Sequence, residues 1–188
     1  NSEKFALKLK KKDFRTSYIK HNKNLGLGAA LKTGILKTKK KHIIWVPGDN
    51  EHDFNGLKPL FTELKKNESL DIIIPYVIKT KKRTLLRRLI SKTYTNFINL
   101  IFLKKMPYYN GCFIYKKKII NQSIKAMNNP SMTFMSELLI RSLKLTNNYS
   151  IVGYNLNIRK NGPRKSSALK ISNIIIGLYH IIKLRIII

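Results

Sequence analysis

The sequence predicts an α/β domain with a mainly parallel sheet flanked by helices, and three observations predict it. Amphipathic helical stretches alternate with short runs of β-favouring residues, the order that builds strand–helix–strand units. Two of those runs, around Ile43 and around Ile73, are apolar throughout, which suits strands covered on both faces. Pro47 and Gly48 stop the first run abruptly.

In chain order, residues 3–12 place Phe5, Ala6 and Leu9 on one side among lysines, the pattern of a short amphipathic helix. Residues 14–20 fit a strand. In residues 24–34, NLGLGAALKTG, the glycines permit a tight turn and the alanine-rich continuation favours a helix over 28–37. Residues 42–46 form the apolar strand that Pro47 ends, and 56–66 the next helix. Residues 69–76, with Ile72, Ile73 and Ile74, give another buried strand. Residues 84–104 read as a longer helix whose apolar face is too wide for a simple surface helix. Residues 108–115 turn into a strand, 136–145 form a helix, and 150–159 a late strand that ends in the polar loop 160–167. The last segment, 169–188, is rich in Ile but interrupted by Lys170, Asn173, His180, Lys183 and Arg185. Without an unbroken span of about 20 apolar residues it suits an interfacial helix rather than a membrane crossing.

A length of 188 residues fits one domain, and 43% hydrophobic residues allow a real core, which excludes a disordered chain. The single Cys112 excludes a disulfide framework within the chain, and a reducing cytoplasmic setting follows. Against 38 Lys and Arg stand 9 Asp and Glu, a formal charge of +29. Lys, Ile and Asn are abundant in loops and apolar runs alike, so the charge reads first as broad compositional bias. Attraction to a membrane or phosphate comes second, and nucleic acid last. Residues 1–12 are polar and show no signal peptide.

Three of the nine acidic residues, Asp49, Glu51 and Asp53, cluster where the strand at 42–46 ends. Carboxylates at the carboxyl end of an apolar strand point to a divalent cation or a polar ligand, since open α/β sheets bind ligands there. The plainer alternative is a helix N-cap, where Asp and Asn after Gly are common. Arg87, Arg88, Arg159, Arg164 and Lys165 are candidates for phosphate, because guanidinium groups bind phosphate oxygens in pairs. His52 is read either as a phosphate contact or as a structural histidine, and Trp45 as core.

This order of motifs resembles the family 2 glycosyltransferases, in particular the branch similar to dolichol-phosphate mannose synthase that acts on polyprenyl phosphates. NLGLGAALKTG (24–34) resembles the family's N-x-G-x-G-x-A-x-x-x-G segment. PGDNEH (47–52) resembles its D-x-D motif, with Asp49 at the second aspartate and Pro47 replacing the first. RTLLRRLIS (83–91) resembles the helix carrying R-x-x-x-S, and residues 159–167 the late R-x-x-G-x-S-K loop. YNGCF (109–113) resembles a segment before which members carry an aspartate that this chain lacks, while Glu137 stands near an acidic position of the following helix.

The resemblance implies a Rossmann-like GT-A fold, truncated at its N-terminus so that the first strand is missing. A catalytic domain at 1–167 and a C-terminal apolar, membrane-associated segment at 168–188 are expected. It also implies transfer of a hexose from a nucleotide-diphosphate sugar to a polyprenyl phosphate, inverting and assisted by Mg²⁺ or Mn²⁺, at the cytoplasmic face of a membrane. Asp49 is the expected metal ligand, and Asp49 and Glu137 the expected catalytic residues. Asn24, Gly26, Gly28, Asp49, Asn50 and His52 would hold the donor. The acceptor phosphate would meet Arg87, Arg88, Arg159, Arg164 and Lys165. A saccharide acceptor, or a non-catalytic basic module binding anionic lipid or nucleic acid, is the alternative.

Overall fold

The computed structural model describes residues 2–48, 52, 54–78, 84–129, 131, 133–156 and 171–188. Among these described residues seven helices and four strands follow in the order α1 (Ser2–Lys12), α2 (Leu27–Lys37), β1 (His42–Ile44), α3 (Phe54–Lys66), β2 (Ile72–Val77), α4 (Leu85–Phe102), β3 (Ile114–Lys116), α5 (Lys117–Lys125), α6 (Phe134–Leu145), β4 (Tyr149–Tyr154) and α7 (Ile171–Ile187). The strands form one sheet in the order β1-β3-β2-β4. β2 and β4 run parallel over six register pairs, whereas β3 is antiparallel to both β1 and β2. Three strands thus share a direction and β3 opposes them, which makes the sheet mixed.

Alternation along β2 divides the core into two layers. Ile72 and Ile74 join a large cluster with Ile35 of α2, Ile98 of α4, Ile120 and Ile124 of α5, Leu138 and Leu139 of α6, and Ile181 and Leu184 of α7. Ile73 points the other way, onto Leu57 and Leu60 of α3, with Ile114 and Tyr154 beside it. Each fully enclosed Ile or Leu contributes on the order of 1.5–3 kcal/mol, so the larger layer dominates stability. α7 is part of that layer through Ile181 and Leu184, and among the described residues no helix is long and apolar enough to cross a membrane.

One expectation is corrected. Residues 14–20 are turn and irregular backbone rather than a strand, with Phe14 95% exposed. Thr16, Tyr18 and Ile19 favour extended backbone, but an isolated strand has no ladder or apolar face to hold it. α5, for which there was no separate expectation from the sequence, begins at the residue after β3 and buries Ile119, Ile120, Ser123 and Ile124. The helix at residues 3–12 forms as expected, and none of its residues is buried.

Candidate functional site

The carboxyl ends of β1 and β2 converge on the loop that leads into β3. Because β3 is antiparallel, Ile114 pairs with both Ile44 and Ile73, and residues 109–113 arrive over those strand ends. The approach is fixed from α4. Leu103 caps that helix in the left-handed region (φ 51°), and Asn99 then clamps the returning chain. Its Nδ2 donates to the Met106 carbonyl (2.9 Å), and its Oδ1 accepts from the Met106 amide (2.9 Å) and the Tyr109 hydroxyl (2.8 Å). Burial raises the Tyr109 phenol, which keeps it a donor.

Gly111 lies at the centre of this loop. Trp45 donates through Nε1 to its carbonyl at 3.2 Å, so the expected core residue also ties β1 to the loop. A Cβ at Gly111 would lie 2.8 Å from Pro75 Cγ and 3.5 Å from the Pro75 carbonyl oxygen. Gly111→Ala is therefore expected to destabilise the fold by about 1–3 kcal/mol, read as a lowered midpoint in urea. Unchanged stability would show that β2 can give way.

Behind the loop stands a polar chain. Tyr94, its phenol pushed up to about 12 by burial, donates to Ser136 Oγ, which donates to Asn110 Oδ1, both at 3.0 Å. Asn110 thus sits immediately before Gly111. One residue along α6, Glu137 is enclosed: Oε1 accepts from Arg141 Nε at 2.8 Å and Oε2 from Asn129 Nδ2 at 3.1 Å. Asn129 also donates to Thr133 Oγ1 at 2.9 Å, which joins the start of α6 to the loop before it.

The Asn24–Gly28 segment forms the turn expected of it. Asn24 Oδ1 accepts from the Gly26 amide at 2.9 Å, Gly26 takes a φ of 85° as the residue before α2, and Gly28 is buried. With Ser17, His21 and Thr33 this turn borders a cleft of about 380 Å³. His52 lies elsewhere, at the carboxyl end of β4, stacked on Tyr154 with ring centroids 5.7 Å apart and its Nδ1 3.1 Å from the Tyr154 hydroxyl. Arg87 and Arg88 open α4, capped by Thr84, whose Oγ1 accepts from the Arg87 amide at 3.3 Å. Arg88 Nε is shielded from solvent and finds no hydrogen-bond partner among the described residues.

The structure therefore gathers Trp45, Asn110, Gly111, Ser136 and the Pro75 end of β2 into one cluster, and Glu137 follows Ser136 on α6. Asp49, Asn50, Arg159, Arg164 and Lys165 lie outside the described residues, as do Glu51 and Asp53. Among the described residues no three His, Cys, Asp or Glu side chains come together as a metal set. Sequence reasoning missed Asn99, Asn129 and Tyr94; each acts through a partner distant in the chain, which spacing does not reveal.

Residues 1–123 match the family described as Glycosyl transferase family 2. No curated protein matches the chain. Among solved structures, glucosyl-3-phosphoglycerate synthase from Mycobacterium tuberculosis in complex with UDP is similar, with a TM-score of 0.53 and 13% identity over 86% of this chain and 54% of that one. A mycobacterial protein is also similar, with a TM-score of 0.47 and 15% identity over 81% of this chain and 47% of that one. The chain spans about half the length of these structures. The likeness to the synthase is one of fold: helices around a mixed sheet, as in GT-A enzymes.

Proposed function

Because the chain belongs to glycosyl transferase family 2, we propose that it transfers a hexose from a nucleotide-diphosphate sugar to a polyprenyl phosphate, with inversion, at the cytoplasmic face of a membrane. The observation that carries the acceptor class is the state of the expected base. Both oxygens of Glu137 already accept hydrogen bonds, from Arg141 and Asn129, and Asn110 rather than an acid precedes Gly111. A sugar hydroxyl loses its proton only with help from a base. A phosphate monoester, with a second pKa near 6, is already an anionic nucleophile at neutral pH. The cluster suits an acceptor that brings its own charge.

The family supports a nucleotide-sugar donor, and the similar synthase structure holds UDP. In this reading Asn24, Gly26 and Gly28, with Asn50 and His52, hold the donor. Arg87, Arg88, Arg159, Arg164 and Lys165 meet the acceptor phosphate. Arg88 Nε, which has no hydrogen-bond partner among the described residues, is a donor available to a phosphate oxygen, and such charge-assisted bonds are about twice as strong as neutral ones. Asp49 would hold Mg²⁺ or Mn²⁺, which when bound supplies Lewis-acid stabilisation of the leaving diphosphate.

The test is incubation of the full-length protein with labelled GDP-mannose or UDP-glucose, a short polyprenyl phosphate and Mg²⁺ or Mn²⁺. Label is expected to move into the organic phase as a lipid-linked sugar. Label appearing only on saccharide hydroxyls would overturn the acceptor assignment, and no transfer under any pairing would overturn the whole reading.

A further inference from the structure

α7 buries Ile181 and Leu184, yet its opposite face is also apolar. Ile175, Tyr179, Ile182 and Ile186 repeat at helical spacing along the outside, with Ile175 and Tyr179 61% exposed and Ile186 82% exposed. A helix that is hydrophobic all round is ordinarily enclosed, so this face calls for a cover other than water. α4 packs beside α7 and adds Leu100 and the following Leu103, 74% and 83% exposed.

The carboxyl-terminal ends of α4, α6 and α7 line a cleft of about 730 Å³. Lys104, Lys144 and Arg185 stand around it with Asn147, Phe102 and Leu145 supply apolar wall, and no carboxylate lines it. Lys144 also donates to the Ile188 carbonyl. The cleft lies at the amino end of β4, away from the His52–Tyr154 pair at its carboxyl end, and is distinct from the site above.

We infer that this face docks on an anionic phospholipid bilayer, with α7 lying along the interface and a lipid phosphate headgroup held among Lys104, Lys144 and Arg185. The combination selects this occupant. Isoleucines and leucines beside a cationic notch match acyl chains beside an anionic head, the usual composition of an interfacial helix site. A second copy of a chain of formal charge +29 would set like charges face to face, and a nucleic acid would leave the apolar stripe uncovered. The inference rests on the membrane placement proposed above. Its test reads binding rather than transfer, so failure of one is distinguishable from failure of the other.

The full chain is floated with phosphatidylcholine vesicles, with or without one part in three phosphatidylglycerol (a ratio on the order of that which gives a strong negative surface). Binding is expected to the anionic vesicles only. The triple variant Lys104→Glu, Lys144→Glu, Arg185→Glu should weaken it on the order of a hundredfold or more, about fivefold for each cation lost and more for each carboxylate gained. The triple variant Lys58→Glu, Lys65→Glu, Lys66→Glu changes the charge equally but lies on α3, across the sheet, and should bind nearly as the parent does. Equal loss in both triples would reduce the effect to overall charge and overturn the inference. Ile182→Ser with Ile186→Ser should also release the vesicles. A shift of that variant from dimer to monomer in light scattering would instead show a second copy covering the stripe. Competition by inorganic phosphate at low millimolar concentration, or by RNA, would move the cleft to a soluble anion and overturn the lipid assignment.

Discussion

Asp49→Ala is expected to abolish sugar transfer and leave the fold intact. The substitution removes the one carboxylate that matches the second aspartate of the family's metal motif, and Pro47 leaves no first aspartate to share the load. Loss of a group that stabilises charge developing in a transition state costs about a hundredfold or more. The fold is expected to be unchanged, which a denaturant midpoint tests directly. The measurements are kcat/KM for transfer and a denaturant midpoint for the same sample. Activity retained at the parent level would refute the role given to Asp49.

Glu137→Ala carries the largest expected cost to stability. Its ion pair with Arg141 is enclosed, with side-chain exposures of 11% and 13%, and truncation strands a guanidinium inside α6 together with the Asn129 amide. Breaking a buried pair from one side costs about 3–5 kcal/mol. Arg141→Ala should cost a similar amount, and the double variant less than the sum, since the two share one interaction. Glu137→Gln separates structure from chemistry. If transfer per folded molecule survives it, Glu137 positions α6 against the 127–133 segment, as the phosphate-acceptor reading requires. A loss of transfer far beyond the loss of folded protein would make the carboxylate a proton acceptor and favour a hydroxyl acceptor.

Much of the fold was legible because hydrophobic period and chain punctuation agreed locally. The glycines of residues 24–34 and the isoleucines of β2 announce their elements with no help from the rest of the molecule. What escaped depends on partners far along the chain. Residues 14–20 carry strand-like residues, but no neighbouring strand pairs with them among the described residues. α5 follows β3 without a loop, and the three lysines at 116–118 bridge the two elements with no turn or cap residue to mark the change from strand to helix. The antiparallel entry of β3 was equally hidden, because direction is set by where the chain returns after α4, which Asn99 fixes through tertiary hydrogen bonds. For the candidate site, residue types and order were readable, whereas the engagement of both Glu137 oxygens was not. The sequence names a carboxylate but not its neighbours.

The position of β3 between β1 and β2 has a consequence for biosynthesis. Neither of the two earlier strands pairs with the other; each waits for a partner that is translated about 40 to 70 residues later. A nascent chain released from the ribosome tunnel only as far as α4 therefore displays two isoleucine-rich ribbons with open ladders, the kind of edge on which chains aggregate. Emergence of Ile114, Tyr115 and Lys116 joins β1 to β2 and closes one edge of each, while the longer ladder of β2 stays open until Tyr149–Tyr154 arrive, so chaperone dependence should fall in two steps at those chain lengths.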